Sequence, residues 1–376
     1  MDNNTFNLDQ KKIQSILLGT THFKLNELLE KALQLKELSY EEMAFLLNRT
    51  SSADIKKLTE TAMLIKLGCL GNEITLYAPL YISNECVNEC VYCAFRISNK
   101  NLVRKTLTED EIIQQAQFLE QRGLRRIQLV FGEHPRGSSV DFIIRCANAI
   151  KKNTAINELT INCAPLTTEQ FKKLSSTGIT HYLVYQETYH RETYAQLHLK
   201  GPKRSYTNRL EVMDRALLGG MHHLGLGVLL GLYDYCFDVL AMIMHGRYLE
   251  ETYCGRISSV SVPRLRPAHG SAYSEKPAYD VSDDELKKSI AILRITFPYA
   301  QISVTTRERA ALRDELLSVG VSKMSAESKT NPGGYGSNCN KDINALQSGE
   351  QFVIEDTRPL EEIKEIVKKK NMIAVY

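Results

Sequence analysis

From Tyr77 onward the chain alternates between short β-type runs and longer stretches with helical periodicity, and this alternation limits its fold more than any other feature. The runs are Tyr77 to Ile82, Arg126 to Phe131, Glu158 to Cys163, His181 to Gln186, Leu224 to Leu230, Ser258 to Val262, Gln301 to Thr305 and Val321 to Ser325. Helices fit between them. Thr108 with Glu111, Thr167 with Gln170 and Ser282 with Glu285 are capping-box openings, and Asp141 to Ile150, Thr207 to Leu218, Asp238 to Glu251 and Glu308 to Ser318 supply the rest. Strands separated by helices pair in parallel, because a parallel connection needs a crossover. Eight such strands are the number that closes a (βα)8 barrel. A doubly wound open sheet gives the same alternation, so the strand count carries the barrel reading.

Residues 9 to 70 read as helices, with a capping box at Ser39 to Glu42, and residues after 331 begin with a turn-rich Pro332-Gly333-Gly334-Tyr335-Gly336 and end in a helix near Leu360 to Lys370. The expected organisation is therefore α/β: an N-terminal helical extension over 1–70, a (βα)8 TIM-type barrel over 71–330, and a short C-terminal tail over 331–376 packing on the barrel. At 376 residues and 43% hydrophobic, the chain can bury such a core. Its 47 basic and 44 acidic side chains are interspersed, so nothing points to nucleic acid or an anionic membrane surface. Residues 1–21 lack a basic start followed by a long apolar run, and the longest apolar stretch, Leu224 to Leu232, is too short for a membrane span. A cytoplasmic protein is expected.

Nine cysteines, an odd number, suit metal binding or free thiols in a reducing compartment better than disulfides. Cys69, Cys146, Cys163, Cys236, Cys254 and Cys339 stand alone and read as small hydrophobes. Cys86, Cys90 and Cys93 differ, because C-x3-C-x2-C just beyond the first strand can hold three corners of an iron-sulfur cubane and leave one iron open. A zinc site ranks second, since structural zinc normally takes four ligands and no fourth cysteine or histidine lies close in sequence. Chance clustering of core residues ranks third.

Strand ends in such a barrel line its active face, which singles out further side chains. Gly132 and Glu133 follow strand two, where the glycine lets a ligand approach backbone and the carboxylate suits an amine; a plain βα turn weighs equally. Glu187 follows strand four, and Arg209, preceded by Lys203 and Arg204, opens the next helix. Thr305-Thr306-Arg307 ends strand seven and Ser325 strand eight, so hydroxyls and a guanidinium could hold a carboxylate there. Arg264 and Arg266 are either a second anion anchor or loop salt bridges, His222, His223 and His245 read as structural, and Gly225 and Gly227 as making room for a ligand.

These residues, with Pro79 to Asn84, Tyr185 to His190, His198 to Lys203, Gly231 to Asp234 and Met324 to Ala326, resemble the radical S-adenosylmethionine enzymes. Within them the likeness is to the aromatic amino acid lyases, specifically the tyrosine lyases of thiazole biosynthesis and of FeFe-hydrogenase maturation, over about Ser39 to Phe352. The resemblance implies a radical SAM barrel with a 4Fe-4S cluster on Cys86, Cys90 and Cys93 whose open iron chelates S-adenosylmethionine. It implies cleavage of the Cα–Cβ bond of L-tyrosine to p-cresol and 2-iminoacetate through a 5′-deoxyadenosyl radical. By carry-over, Tyr92 and Phe95 pack beside cluster and adenine, Glu133 meets the methionine amine, and Glu187 with Arg209 fixes the cofactor. Arg307, helped by Ser303, Thr305 or Ser325, holds the tyrosine carboxylate, and apolar barrel walls exclude water. A reductant such as flavodoxin or ferredoxin and, downstream, thiazole synthase are the implied partners. The hydrogenase maturase has a further C-terminal cluster domain, and no cysteine follows Cys339, so production of 2-iminoacetate for thiazole synthesis is expected over its conversion to carbon monoxide and cyanide. A maturase-like enzyme and a tryptophan lyase are the alternatives.

Overall fold

Reciprocal side-chain caps fix where the helices begin. Ser39, Thr108, Thr167 and Ser282 each accept the N–H of the residue three ahead, whose Glu or Gln side chain returns to the cap N–H. In the computed structural model, which describes residues 5–19, 22–253, 257–336 and 349–376, four helices come first: α1 (Gln10–Leu18), α2 (Leu25–Leu33), α3 (Tyr40–Leu47) and α4 (Ser52–Leu70). Cys254 and Cys339 lie outside the described residues.

The barrel follows as β1 (Glu73–Ser83), α5 (Glu109–Gln121), β2 (Arg126–Phe131), α6 (Val140–Asn153), β3 (Glu158–Asn162), α7 (Thr168–Ser175) and β4 (His181–Leu183). It continues with α8 (Arg191–Leu197), α9 (Tyr206–Leu210), α10 (Val212–Leu218), β5 (His223–Gly227), α11 (Tyr235–Tyr253) and β6 (Ile257–Ser261). Last come α12 (Ala272–Glu275), α13 (Asp283–Thr296), β7 (Gln301–Val304), α14 (Ala310–Leu316) and β8 (Lys323–Ser325), then α15 (Leu360–Lys369) and β9 (Ile373–Val375). Every pairing between these strands is parallel, and β1 closes the ring by taking β8 along Thr75–Tyr77 and β2 along Ala78–Ser83. The closed (βα)8 barrel, not the open sheet, is therefore the fold.

β9 is a ninth strand that the sequence reading did not anticipate. It pairs with Glu73–Thr75 of β1, and because Thr75 already meets Lys323 of β8, β9 takes the edge that β2 uses further along. The helix read over Thr207 to Leu218 is two helices parted at Glu211.

The twofold period of a strand explains the two faces of β1. Ile74, Leu76, Ala78, Leu80 and Ile82 turn outward into the core beneath the helices, each 0 to 1% exposed. Burial of a leucine of this kind stabilises by roughly 1.5–3 kcal/mol. Tyr77, Pro79 and Tyr81 turn inward and line a cavity at the C-terminal ends of the strands. Gln128, Asn162, Tyr185, Thr305 and Arg307 line it too, so the walls mix polar with apolar groups where apolar walls were expected. Barrel interiors filled only by branched aliphatics leave no room for a ligand.

Among the described residues no helix is long and apolar enough to cross a membrane.

Candidate active site

Cys86, Cys90 and Cys93 line the same cavity, on a loop that the surrounding backbone grips from several sides. Val87 N–H donates to the Glu133 carbonyl (2.8 Å), Glu89 N–H to Lys200 (3.0 Å), Leu199 N–H to Glu89 (2.9 Å) and Ile97 N–H to Asn88 (2.8 Å). Gly132 is required by this fit, since a Cβ there would lie 2.3 Å from the Glu85 carbonyl oxygen. The Cβ side of this glycine is thus filled by the cysteine loop, while the residue also lines the cavity. Gly201 (φ +84°) is bound in the same way, its Cβ position being 2.3 Å from Asn88 Oδ1. Gly225 and Gly227 likewise make room for side chains, Leu183 and the Tyr185 ring, and not for a ligand.

Asn88, which sequence reasoning passed over, ties three parts together. Its Nδ2 donates to Glu133 Oε2 (2.6 Å) and lies 3.7 Å from Cys86 Sγ, while its Oδ1 accepts from Lys203 N (2.9 Å). Position inside a C-x3-C loop was the only signal for it. Lys203 was read as part of a basic patch, but the structure turns its Nζ inward onto Glu187 Oε1 (2.6 Å) and over the Tyr92 ring. Arg209 joins Glu187 at 3.6 Å and donates through Nε to the Tyr185 carbonyl (2.6 Å). Tyr92 bonds to His198 Nε2 (2.8 Å); His198 Nδ1 faces the Tyr194 carbonyl (2.7 Å), which can only accept, so Nδ1 carries the proton and Nε2 receives the Tyr92 hydroxyl. Burial, then Lys203, pulls His198 well below its ordinary pKa and keeps it neutral.

Glu187 sits at φ +74°, a left-handed conformation that costs a non-glycine residue energy and must be held from outside. The next two residues hold it. Asp238 Oδ1, on α11, accepts from Thr188 Oγ1 (3.0 Å) and Tyr189 N–H (2.7 Å). Burial pushes the Asp238 carboxyl up to about 8 against those hydrogen bonds. An unfolded aspartate ionises at about 4, so between the two values the unfolded chain has released a proton the folded chain retains, and stability falls as pH rises through that window. Asp238→Asn, which still offers Oδ1 to both donors, should flatten that decline; urea midpoints at about pH 5 and about pH 8 measure it. A decline as steep as in the parent protein would mean that Asp238 does not titrate there.

Across the cavity, β7 and β8 present Thr305, Arg307 and Ser325. Ser303 is not on the cavity wall, and its hydroxyl is engaged with Tyr77 Oη (3.2 Å). Arg264 and Arg266 are loop salt bridges, both on Glu308, and Arg264 also reaches Asp283. Arg309 pairs with Asp283 and Arg313 with Asp356. Arg307 is the exception in this group: among the described residues it has no ion pair, and its guanidinium lies 3.4 Å over the Phe352 ring. Phe352 and Gln351 come from the C-terminal tail, whose backbone is sewn across the mouth by Gln351 N–H to Thr330 (3.1 Å), Val353 N–H to Pro267 (2.9 Å) and Glu355 N–H to Thr306 (2.9 Å). Cys163, read as a plain core residue, also reaches the wall.

The residues present suit an iron-sulfur cluster. Burial pushes the Cys90 and Cys93 thiols up, so they need a metal to displace their protons. Cys93 Sγ receives Phe95 N–H (3.4 Å) and Gln351 Nε2 (3.8 Å), contacts that favour a bound thiolate. Among the described residues no three Cys, His, Asp or Glu side chains converge on a point that would hold one metal ion. Glu133, Glu187, Lys203 and Arg209 beside the cysteines offer both signs of charge to the ammonium and carboxylate of an amino-acid cofactor.

The sequence profile of the Radical SAM superfamily matches residues 80–240, and that of the Biotin and Thiamin Synthesis associated domain matches residues 261–373. The 2-iminoacetate synthase of Escherichia coli (strain K12) is 35% identical over 310 residues, 82% of this chain and 81% of its own. The [FeFe] hydrogenase maturase subunit HydE of Thermotoga maritima is 30% identical over 57% of this chain and 59% of its own. The crystal structure of HydG, a maturase of the [FeFe]-hydrogenase, superposes with a TM-score of 0.90 at 37% identity, covering 97% of this chain and 80% of that one. HydG from Carboxydothermus hydrogenoformans gives 0.87 at 33% identity, covering 98% and 86%. With three cysteines at the mouth of a closed parallel barrel and this likeness over most of its length, the chain is a radical SAM enzyme of the tyrosine-lyase family, whose cofactors are a 4Fe-4S cluster and S-adenosylmethionine.

Proposed function

We propose that this enzyme cleaves L-tyrosine at Cα–Cβ to p-cresol and 2-iminoacetate, supplying the latter to thiazole formation. The observation that carries this reading is Arg307: a cavity-facing guanidinium without an ion pair among the described residues, in a loop cluster where its neighbours are all paired, matches a substrate carboxylate. The two products together contain every atom of tyrosine. When bound, the cluster and S-adenosylmethionine would supply a 5′-deoxyadenosyl radical that takes one hydrogen atom from the substrate amine and becomes 5′-deoxyadenosine; the cresol fragment then leaves as a radical, and one further electron from the reductant with one proton completes p-cresol.

The chain's own residues do the remaining work. Cys86, Cys90 and Cys93 hold the cluster, Tyr92 and Phe95 flank it, and Glu133, set by Asn88, receives the methionine ammonium. Glu187 with Arg209 fixes the rest of the cofactor, Lys203 neutralising the glutamate from the other side. Arg307 grips the tyrosine carboxylate in two parallel hydrogen bonds, with the Thr305 and Ser325 hydroxyls beside it and Ser303 acting through Tyr77. Glu133 follows β2 and Glu187 follows β4, each three strands around the ring from β7, which Arg307 follows, so the acids and the guanidinium stand on different walls and one amino acid fits against each. The tail at Gln351 and Phe352 covers the mouth and keeps water from a reactive intermediate.

A reductant must deliver an electron to the cluster; flavodoxin or ferredoxin fits that need. Because an imine hydrolyses in water, a thiazole synthase that receives it close by is the consumer we favour. Among the described residues every cysteine is free, which suits the cytoplasm. A second reading, a maturase-type enzyme that carries the product on to carbon monoxide and cyanide, is favoured by the 37% identity to HydG over 97% of this chain. Reconstituted enzyme with dithionite and S-adenosylmethionine, offered tyrosine or tryptophan, separates these readings. p-Cresol from tyrosine alone, without carbon monoxide, is expected; carbon monoxide supports the second reading, and turnover of tryptophan only would overturn both.

A further inference from the structure

Gln351 lies on the tail segment that crosses the cavity mouth, and its carboxamide is held at both ends. Oε1 accepts from the Tyr81 hydroxyl (2.7 Å), and Nε2 lies 3.8 Å from Cys93 Sγ. Tyr81 is itself braced edge-on against Phe95, with ring centroids 6.1 Å apart, and the Gln351 backbone is tied to Thr330. Since the Tyr81 hydroxyl donates to the carbonyl oxygen, the NH2 end faces the sulfur; the flipped amide would set oxygen against a thiolate. Cys93 thereby has two donors, Phe95 N–H and Gln351, whereas Cys86 has one in Asn88.

We propose that Gln351 is a positioning residue that sets the reduction potential of the cluster by donating a hydrogen bond to Cys93 Sγ. Reduction adds one electron from an external reductant to the cluster, with no proton and no bond broken, and the added negative charge spreads onto the ligand sulfurs. An N–H dipole aimed at one of them stabilises the reduced form more than the oxidised form and raises the potential. The segment is distant in sequence from the cysteines, 258 residues beyond Cys93, so the cysteine motif alone does not encode this effect. The proposal rests on the cluster assignment above and not on which amino acid is cleaved.

The test is an EPR-monitored redox titration of the reconstituted holoenzyme with its Gln351→Leu and Tyr81→Phe variants, without S-adenosylmethionine, at matched iron and sulfide content. Gln351→Leu should shift the midpoint to more negative potential, and Tyr81→Phe, which frees the amide to rotate, should shift it less in the same direction. An unchanged or raised midpoint in Gln351→Leu with a full cluster overturns the proposal. Should that variant load poorly, Gln351→Glu keeps the side-chain length and sets a carboxylate against the sulfur; the midpoint should then fall, and an unchanged one is equally contradictory. Absence of tyrosine cleavage by the parent enzyme would sink the proposed function while leaving this titration readable.

Discussion

Arg307→Ala is expected to weaken tyrosine binding by about 2–5 kcal/mol while leaving S-adenosylmethionine binding nearly unchanged. Its side chain is half-buried in the cavity wall, and desolvation pulls its guanidinium below the ordinary arginine value while the nearby Tyr81 and Tyr185 hydroxyls oppose that. A partly desolvated cation that has no ion pair among the described residues gains most from a carboxylate that arrives with the substrate. Arg307→Lys should recover only part of the loss, because an ammonium cannot make two parallel bonds to one carboxylate. Separate titrations of the two ligands measure the split. Equal weakening of both would show that Arg307 shapes the cavity as a whole and does not select the substrate.

Asp356→Ala should lower stability by about 3–5 kcal/mol, the cost of leaving a buried charge without its partner. Arg313 and Asp356 form an ion pair whose side chains are 1% and 0% exposed, and Arg313 also donates to the Ser325 carbonyl at the end of β8. Burial raises the Asp356 carboxyl, but Arg358 and Arg313 more than offset it and hold it below the usual carboxylate range. Its stabilisation is thus present above the ordinary aspartate pKa and is lost as pH falls through the depressed value. Denaturant unfolding of the cluster-free protein measures both effects. Replacing both partners, as Arg313→Met with Asp356→Leu, should recover much of the loss; no recovery would place the cost elsewhere.

Much of the architecture was legible because periodicity and capping are local. The edges of β2 and the opening residues of α3, α5, α7 and α13 match the sequence reading, since Ser or Thr with Glu or Gln three residues on carries its own geometry. β9 escaped because three residues, Ile373 to Val375, show too little alternation, and its partner on β1 lies some three hundred residues away. β4 ends at Leu183, short of the expected Gln186, although Gln186 N–H still reaches the Gly227 carbonyl (3.0 Å) and Glu187 forms a parallel bridge with Val228.

Cysteine spacing and strand-end position marked Cys86, Cys90, Cys93, Glu133, Glu187, Arg209 and Arg307, all of which line one cavity. Asn88, Gln351 and Phe352 went unmarked, and Lys203 and His198 were marked only as a basic patch and as part of a motif, because the contacts of each are ones that only the fold creates. Gly225 and Gly227 show the converse error. Their small size was legible, but what fills the space beside them is protein.

The central claim is that one cavity holds S-adenosylmethionine at the cysteine wall and tyrosine at Arg307, so that cleavage of one is tied to cleavage of the other. Simultaneous quantification of 5′-deoxyadenosine and p-cresol in anaerobic turnover tests it most directly. Both products in matched amounts, and both lost in Cys93→Ser, is the predicted result. p-Cresol formed without S-adenosylmethionine, or 5′-deoxyadenosine whose yield does not respond to tyrosine and is accompanied by no p-cresol, would contradict it.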